Sequence, residues 1–279
     1  MLGAIAWDTI ATTHTPLRNN TELNIKVDSV QSGLGGCAAN IVYSLTLTGR
    51  DAACIAPLGA DDLDRLPANA GAHALLTPGP VARAFIFTDQ AGDQRTYFAP
   101  GASPPDDAWA EHLSLQPPPY WLIQAPLEPA LMLTGLRWAH AANASVVWCP
   151  GQYCDQITTD ELIECLTLVD ILVLNASEAE TLASKAEQQL TTVPWRIVTA
   201  GAADILCIHQ GRQAAVAVPA AEVIDPTGCG DAFVAGVVST LSEHTTDNLD
   251  HTLMQQAIAN GIRLAQACLA VSGCQNHRI

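Results

Sequence analysis

Basic residues are scarce in this sequence. Lysine and arginine together number 12 in 279 residues, and the two lysines are Lys26 and Lys185. Neither follows a glycine, so the Gly-Lys-Ser/Thr loop that cradles nucleotide phosphates in one large class of proteins is missing. The motif set of the protein kinases is missing as well. A chain this poor in cations also lacks the basic surface that nucleic-acid binding requires, which excludes nucleic acid as a partner. The net charge of −16 arises from this shortage and not from an acidic tail, since Asp and Glu total only 28. Charged residues make up 14% of the chain, against roughly 25% in ordinary soluble domains. The nine cysteines are an odd number and form no C-x-x-C pair, so neither a disulfide framework nor a zinc site is expected. No basic-then-apolar start and no uninterrupted apolar run of 18 residues is present. The expectation is a cytoplasmic protein with no membrane partner.

What the chain does have is apolar bulk, 49% of its residues, and length enough for one large α/β domain or two small ones. "LGAIA" (2–6) and "AACIAP" (52–57) are short apolar runs that predict buried strands. "TELNIKVDSV" (21–30) alternates apolar and polar residues, which predicts a strand with one wet face. "ANIVYSLTLTG" (39–49) has helical spacing and ends at Gly49, a C-cap signal. Segments 82–88 and 94–98 flank "DQAGD" and predict a hairpin. From Tyr120 the apolar runs "YWLIQ", "SVVWC", "DILVLN" and "WRIVTA" alternate with helical stretches near 128–142, 159–168 and 176–188. That rhythm predicts a mostly parallel sheet covered by helices. A second hairpin turns at Gln210-Gly211, helices near 230–242 and 249–271 close the chain, and "QPPPY" (116–120) is a rigid connector.

The chemistry is concentrated in "DPTGCGDAF" (225–233). Thr227, Gly228, Cys229 and Gly230 lack bulk and lead into an apolar helix. Successive N–H groups can therefore face an anion at the positive end of the helix dipole. Asp231 stands beside that anion site and not in it. Such a pairing suits phosphoryl transfer, with N–H groups holding the phosphate and the carboxylate taking the proton of the attacking hydroxyl. The bland alternative is a carboxylate favoured in a first helical turn. "NASE" (175–178) likewise reads as a capping box, with Asn175 as the N-cap and Glu178 reaching back. "GLGGCA" (33–38) fits a loose dinucleotide fingerprint, yet the segment before it is amphipathic where a Rossmann strand is continuously apolar.

"DPTGCGDAFVAG" resembles the C-terminal signature of the ribokinase-like (PfkB) carbohydrate and nucleoside kinases. "GLGGCAAN" (33–40), "GAIAWD" (3–8), "NASEAE" (175–180) and "VTAGAADILCIHQG" (198–211) resemble further family motifs in the same order. "TDQAGDQRTYFAPGA" (88–102), "CPGQ" (149–152) and "GCQNH" (273–277) look like the bacterial adenosine-kinase-like branch. The 58–76 stretch is shorter than is usual there, and Cys149 and Asp204 stand where Asp and Gly are common.

The resemblance implies a single ribokinase-like domain over 1–279, an α/β three-layer fold with a mostly parallel central sheet. A small antiparallel β lid would come from strands within 10–32 and 80–100. It also implies an ATP- and Mg²⁺-dependent kinase acting on a hydroxymethyl group of a sugar or nucleoside, adenosine-like acceptors being slightly favoured. Asp231 would be the catalytic base, with Gly228, Cys229 and Gly230 forming the anion hole. Asp8, Gly35, Gly36 and Asn40 would hold the acceptor. Asn175, Glu178, Thr199, Gly201, Thr227 and Asn260 would serve the nucleotide, Glu178 acting on Mg²⁺ through water. A homodimer through the lid is compatible with the family. The rival readings are a non-catalytic nucleoside-binding relative and a dinucleotide-dependent oxidoreductase.

Overall fold

The computed structural model describes residues 1–21, 24–61, 63–66 and 72–279. Its contacts separate into two compact units. One comprises Met1–Gly3, Pro105–Ala220 and Gly236–Ile262, the other Ala4–Pro104, Ala221–Ala235 and Arg263–Ile279.

The second unit, which begins at Ala4, is built on a four-stranded sheet. Its strands are β1 (Ala6–Thr13), β2 (Ser29–Gly35), β5 (Ala82–Asp89) and β6 (Gln94–Ala99), in the order β2-β1-β5-β6. The expected small antiparallel sheet is therefore mixed: β1–β2 and β5–β6 are antiparallel, but β1 and β5 run parallel. A two-stranded parallel pair, β3 (Pro57–Gly59) with β4 (Leu75–Thr77), and helix α1 (Cys37–Leu47) complete it, with the two ends of helices introduced below. Helix α1 ends at Thr48, whose N–H reaches Leu45 O, and Gly49 follows at φ +76°. A glycine in the left-handed region is what a helix C-terminus of this kind needs. Asp89 organises the β5–β6 turn: one carboxylate oxygen accepts from Ala91 N and Asp93 N, the other from Leu17 N. Those backbone donors hold its pKa below the usual carboxylate range.

The first unit is built on a six-stranded sheet. Its strands are β7 (Trp121–Gln124), β8 (Ser145–Trp148), β9 (Ile171–Asn175), β10 (Trp195–Ala200), β11 (Ala203–His209) and β12 (Arg212–Val216). They lie in the order β12-β11-β10-β9-β8-β7, parallel from β7 to β10 and antiparallel from β10 to β12. Ile171–Leu174 are all buried, as the unbroken apolar run of a central parallel strand requires. The β11–β12 turn is made by Gln210 and Gly211 at φ +49° and +77°, the two positive values of a tight I′ hairpin. Helices α2 (Asp106–Ser114), α3 (Pro129–Ala141), α4 (Thr159–Thr167) and α5 (Ala176–Leu190) belong here. Helices α6 (Cys229–Leu241) and α7 (His251–Leu269) each contribute to both units. Trp109, Trp148, Leu122 and Met132 are fully buried. Each such side chain contributes roughly 1.5–3 kcal/mol of apolar burial.

Three predicted strands are displaced. "LGAIA" is buried, but Leu2 forms only an isolated bridge to Gln124 and the ladder begins at Ala6. In 21–30, residues 22 and 23 lie outside the described residues, 24–28 carry no ladder, and the strand starts at Ser29. Of 52–57, only Ile55 makes a bridge before β3 starts at Pro57. Helix α2 was not expected, although Asp106 and Asp107 in its first turn and buried Trp109 and Leu113 at i, i+4 are its signature.

Candidate active site

The Gly35–Gly36 pair allows the chain to pass directly over Asp8. A Cβ on Gly35 would lie 1.9 Å from Asp8 Oδ2. Gly36 caps α1 at φ +85°, and a Cβ there would lie 2.5 Å from Ala4 O and 2.7 Å from Ala6 N. Any side chain at either position would push into the carboxylate or the β1 backbone. Asp8 is the third residue of β1, within the strand and not at its end. It is 5% exposed. Its Oδ2 accepts from the Cys274 thiol at 3.6 Å. Its Oδ1 is buried and has no partner among the described residues. Burial pushes the Asp8 carboxyl up to about 6, against the opposing pull of Cys274 and the Gly36 backbone. Beside it is a cavity of 170 Å³ lined also by Gln31, Gly33, Gly273 and Asn276. A buried acceptor oxygen left open at a polar cavity is a site for a hydroxyl donor, because leaving it unpaired costs about 1–3 kcal/mol.

The second glycine loop is pinned by Asp225, which is itself buried. Its Oδ1 accepts from the Thr227 N–H at 2.9 Å and from the Thr227 hydroxyl at 2.6 Å, while Oδ2 accepts from Gly273 N–H at 2.9 Å. Gln94 donates to both Thr88 Oγ1 and Thr227 Oγ1 at 2.9 Å. The Thr227 hydroxyl, expected at the nucleotide, here braces the loop. Gly228 has φ +78°, and a Cβ there would lie 2.5 Å from Cys274 Cβ. Of the three N–H groups expected in the anion hole, that of Cys229 closes a turn onto Pro226 O at 3.2 Å. At Gly230 the space a side chain would fill is empty to 4 Å.

Asp231 follows in the first turn of α6. Asn40, from the first turn of α1, donates to Asp231 Oδ2 at 2.8 Å, and the Cys37 thiol also bonds to it. Gln275 donates in turn to Asn40 Oδ1 at 3.0 Å. Burial pushes the Asp231 carboxyl up to about 7; the Asn40 and Cys37 bonds lower it, and the charge of Asp8 raises it. A carboxyl poised near neutrality, with one oxygen oriented by an amide, has the properties of a general base.

The remaining expected residues belong to the other unit. Asn175 and Glu178 form a complete capping box on α5: Glu178 N–H donates to Asn175 Oδ1 at 2.9 Å, and Asn175 N–H donates to Glu178 Oε2 at 3.0 Å. The Asn175 amide reaches Glu178 Oε1 at 2.7 Å, so the capping reading of this motif holds for the free protein. Burial raises the Glu178 carboxyl above its usual range. Thr199 is the register partner of Asn175 on the adjacent strand, with its hydroxyl on Leu174 O at 3.4 Å. Gly201 follows at φ +62° with open space around it. Asn260 points its amide at Gly236 O, Ser239 Oγ and Thr240 Oγ1, at 2.9–3.1 Å. It fastens α7 to α6 where Gly236 lets the helices cross closely.

Sequence reasoning assigned no role to Asp225, Gln94, Cys274 or Gln275. Asp225 was readable as an Asx turn residue two positions before Thr227. Gln94 and Cys274 reach the loop and Gln275 reaches Asn40 from stretches that carry the family likeness, but nothing in those stretches assigns these three residues a role.

The chain matches the model of the pfkB family carbohydrate kinases over residues 1–278. It belongs to that family. It is 26% identical to the nucleoside kinase of Methanocaldococcus jannaschii over 233 residues, 77% of this chain and 74% of that one. The nucleoside kinase of Burkholderia thailandensis in complex with inosine superposes with a TM-score of 0.84 at 26% identity, covering 99% of this chain and 92% of that chain. The ADP-inosine complex of the same enzyme gives 0.82 at 27% identity, covering 100% and 91%. The fold is thus ribokinase-like, and the chain is a sugar or nucleoside kinase, a phosphotransferase with an alcohol acceptor and ATP as donor. The dinucleotide reading of "GLGGCA" is overturned, since β2 is an exposed antiparallel edge strand and the whole chain matches the kinase family. No described helix is long and apolar enough to cross a membrane.

Proposed function

We propose that this chain is a nucleoside kinase that moves the γ-phosphoryl group of ATP onto the hydroxymethyl group of a ribonucleoside, with the whole chain acting as one kinase domain. The observation that carries this reading is the Asn40–Asp231 bond above the Gly228–Gly230 loop, beside the unpaired Asp8 oxygen. The inosine bound by the Burkholderia relative supports a purine nucleoside acceptor, and adenosine is the first alternative to test against it. Asp8 accepts hydrogen bonds from sugar hydroxyls, and the Gly35–Gly36 backbone lets the sugar approach. Asp231 Oδ1 takes the proton of the acceptor hydroxyl as its oxygen bonds to the γ-phosphorus. The bond from that phosphorus to the bridging oxygen breaks, and ADP leaves. The backbone N–H groups of Gly228, Cys229 and Gly230 neutralise the transferring group, and Cys229 releases Pro226 O to do so. Thr199, Gly201 and the β11–β12 hairpin border the nucleotide.

The donor set of Asn175 and Glu178, two oxygen-bearing side chains, suits an ion that keeps most of its water shell, as Mg²⁺ does. When bound there through water, Mg²⁺ would neutralise charge on the ATP phosphates. Glu178→Gln should preserve the fold, because glutamine also serves a capping box. It should raise the Mg²⁺ concentration for half-maximal turnover about tenfold, the usual cost of an outer-shell ligand. A titration of turnover against Mg²⁺ checks this, and an unchanged curve assigns Glu178 to capping alone.

The four-stranded sheet would act as a lid that keeps water from the acceptor. Its exposed Val30 (63%), Phe85 (39%) and Tyr97 (60%), the last two register partners, favour a homodimer through this sheet. Light scattering at micromolar concentration tests it, and a monomer mass rules it out. The setting of the enzyme would be the cytoplasm, which localisation of the tagged protein in cells checks.

The direct test of the function is transfer of labelled γ-phosphate from Mg-ATP to inosine, adenosine, other nucleosides, ribose and fructose. Labelled nucleoside monophosphate is the expected product. Tight nucleoside binding with no transfer to any acceptor would instead identify a non-catalytic relative.

A further inference from the structure

Gln275 lies in the C-terminal segment after α7, one residue beyond the thiol that bonds to Asp8. That segment is anchored under α1. The His277 ring is fully buried with Nε2 3.2 Å from Ser44 Oγ, and the Tyr43 hydroxyl donates to His277 O at 2.9 Å. Asn276 donates to Ser272 O at 2.7 Å, and Gln31 donates to Ser272 Oγ. The segment therefore presents the Gln275 amide at a fixed position.

An asparagine side chain can face a neighbour with its donor or its acceptor, and its partners at both ends decide which. Gln275 Nε2 donates to Asn40 Oδ1 at 3.0 Å, and this leaves the Asn40 NH₂ pointing at Asp231 Oδ2 at 2.8 Å. Resting on the kinase reading above, we infer that Gln275 is a positioning residue. Through Asn40 it holds Oδ2 of the general base in place. The ionised Asp231 carboxylate, which only accepts, and the Gln275 donor hold the Asn40 amide in the same sense from its two ends.

The other groups facing Asp231 are Asp8 from β1, Cys37 from α1, Cys229 on its own helix, Cys268 from α7 and Cys274 beside Gln275. Burial pushes Cys229 and Cys268 up to about 11 and about 12 and raises Cys274 further still, so all three stay neutral at physiological pH. Asp8 is the one carboxylate among these groups, and it titrates together with Asp231.

The test is Gln275→Met, which keeps the length and removes the donor. In the ligand-free protein, a ¹³C-carboxyl NMR titration should show Asp231 moving up by roughly 0.5–1 pH unit, since the bond favouring its charged form weakens. Turnover per acceptor KM at pH 7 should fall about 2–5-fold and recover above pH 8.5. In an Asn40→Ala background, Gln275→Met should change neither value further. If Gln275→Met loses the fold, Gln275→Glu serves: an ionised carboxylate accepts from Asn40, reverses its amide, and should move Asp231 up further. An Asp231 titration unchanged in the folded variants would overturn the inference. A shifted titration in a protein that phosphorylates no acceptor would uphold the positioning and defeat the kinase reading, so the two failures are distinguishable.

Discussion

Replacing Asp231 by Asn should lower kcat by about 10²–10⁴, the usual contribution of a positioned proton acceptor. Asparagine is nearly isosteric, keeps an oxygen for the Asn40 amide, and still suits a first helical turn, so the fold should survive. ATP affinity should be retained or increased, because a negative charge beside the phosphate site is gone. Stability should rise, and the sign follows from burial. In the folded protein Asp231 holds its proton up to about 7, while in the unfolded chain it loses it near the ordinary carboxylate value of roughly 3.9. Between those values the native state binds more protons than the unfolded one, so the wild-type protein loses stability as pH rises through that window. The variant has no such loss. Its melting temperature should match the wild type near pH 4 and exceed it by several degrees at pH 8, corresponding to about 1–3 kcal/mol. A carboxylate present only to complement the helix dipole would give the opposite signature: turnover nearly intact and a loss of about 0.3–1 kcal/mol.

Asp8→Ala should raise the acceptor KM by about 10- to 100-fold or more, with the dissociation constant of ATP unchanged. Each hydrogen bond from a sugar hydroxyl to a charged carboxylate contributes roughly 1.5–3 kcal/mol, and the buried Oδ1 has room for at least one. Asp8 also raises the pKa of Asp231 by repulsion. Its removal should therefore move the acid limb of kcat downward in pH while the acceptor binds more weakly. These opposite effects separate a binding carboxylate from one that merely packs. Steady-state kinetics against both substrates, with ATP affinity from calorimetry, provide the check. Weakened ATP binding with a normal acceptor KM would assign Asp8 to the wrong substrate.

The residues whose roles depend on local chain geometry were readable in the sequence. Gly36 and Gly228 sit where positive φ or a close backbone approach demands glycine, and Asp231 follows such a turn at a helix start. The β7–β10 strands were readable because parallel strands buried on both faces leave unbroken apolar runs. Strand β2 was placed too early for a related reason. Its Gln31, Ser32 and Gly33 line the cavity beside Asp8, so the strand lacks the apolar alternation that marks a core-facing element. The stretch before it carries that alternation, and its described residues 24–28 form no ladder. Gln94, Cys274 and Gln275 stand in stretches that carry the family likeness, but no local pattern gives them a role, because each meets its partner across more than a hundred residues of chain. Asn260 shows the converse: a residue assigned by motif position whose amide is engaged in crossing two helices.

On the proposed mechanism, a buried carboxyl on α6 must lose its proton before phosphoryl transfer. The measurement that tests it most directly is the pH dependence of kcat/KM for the nucleoside acceptor from pH 5.5 to 8.5, at saturating Mg-ATP, in the wild type and in Asp231→Asn. Because Asp8 and Asp231 interact, the limb belongs to the pair. The prediction for the wild type is a rise across the range set by the two carboxyls, at about 6 and about 7, to a plateau above it. In Asp231→Asn the residual rate should lose the upper part of that limb. A wild-type profile flat through this range, or a limb that survives unchanged in Asp231→Asn, would contradict the assignment of Asp231 as the base.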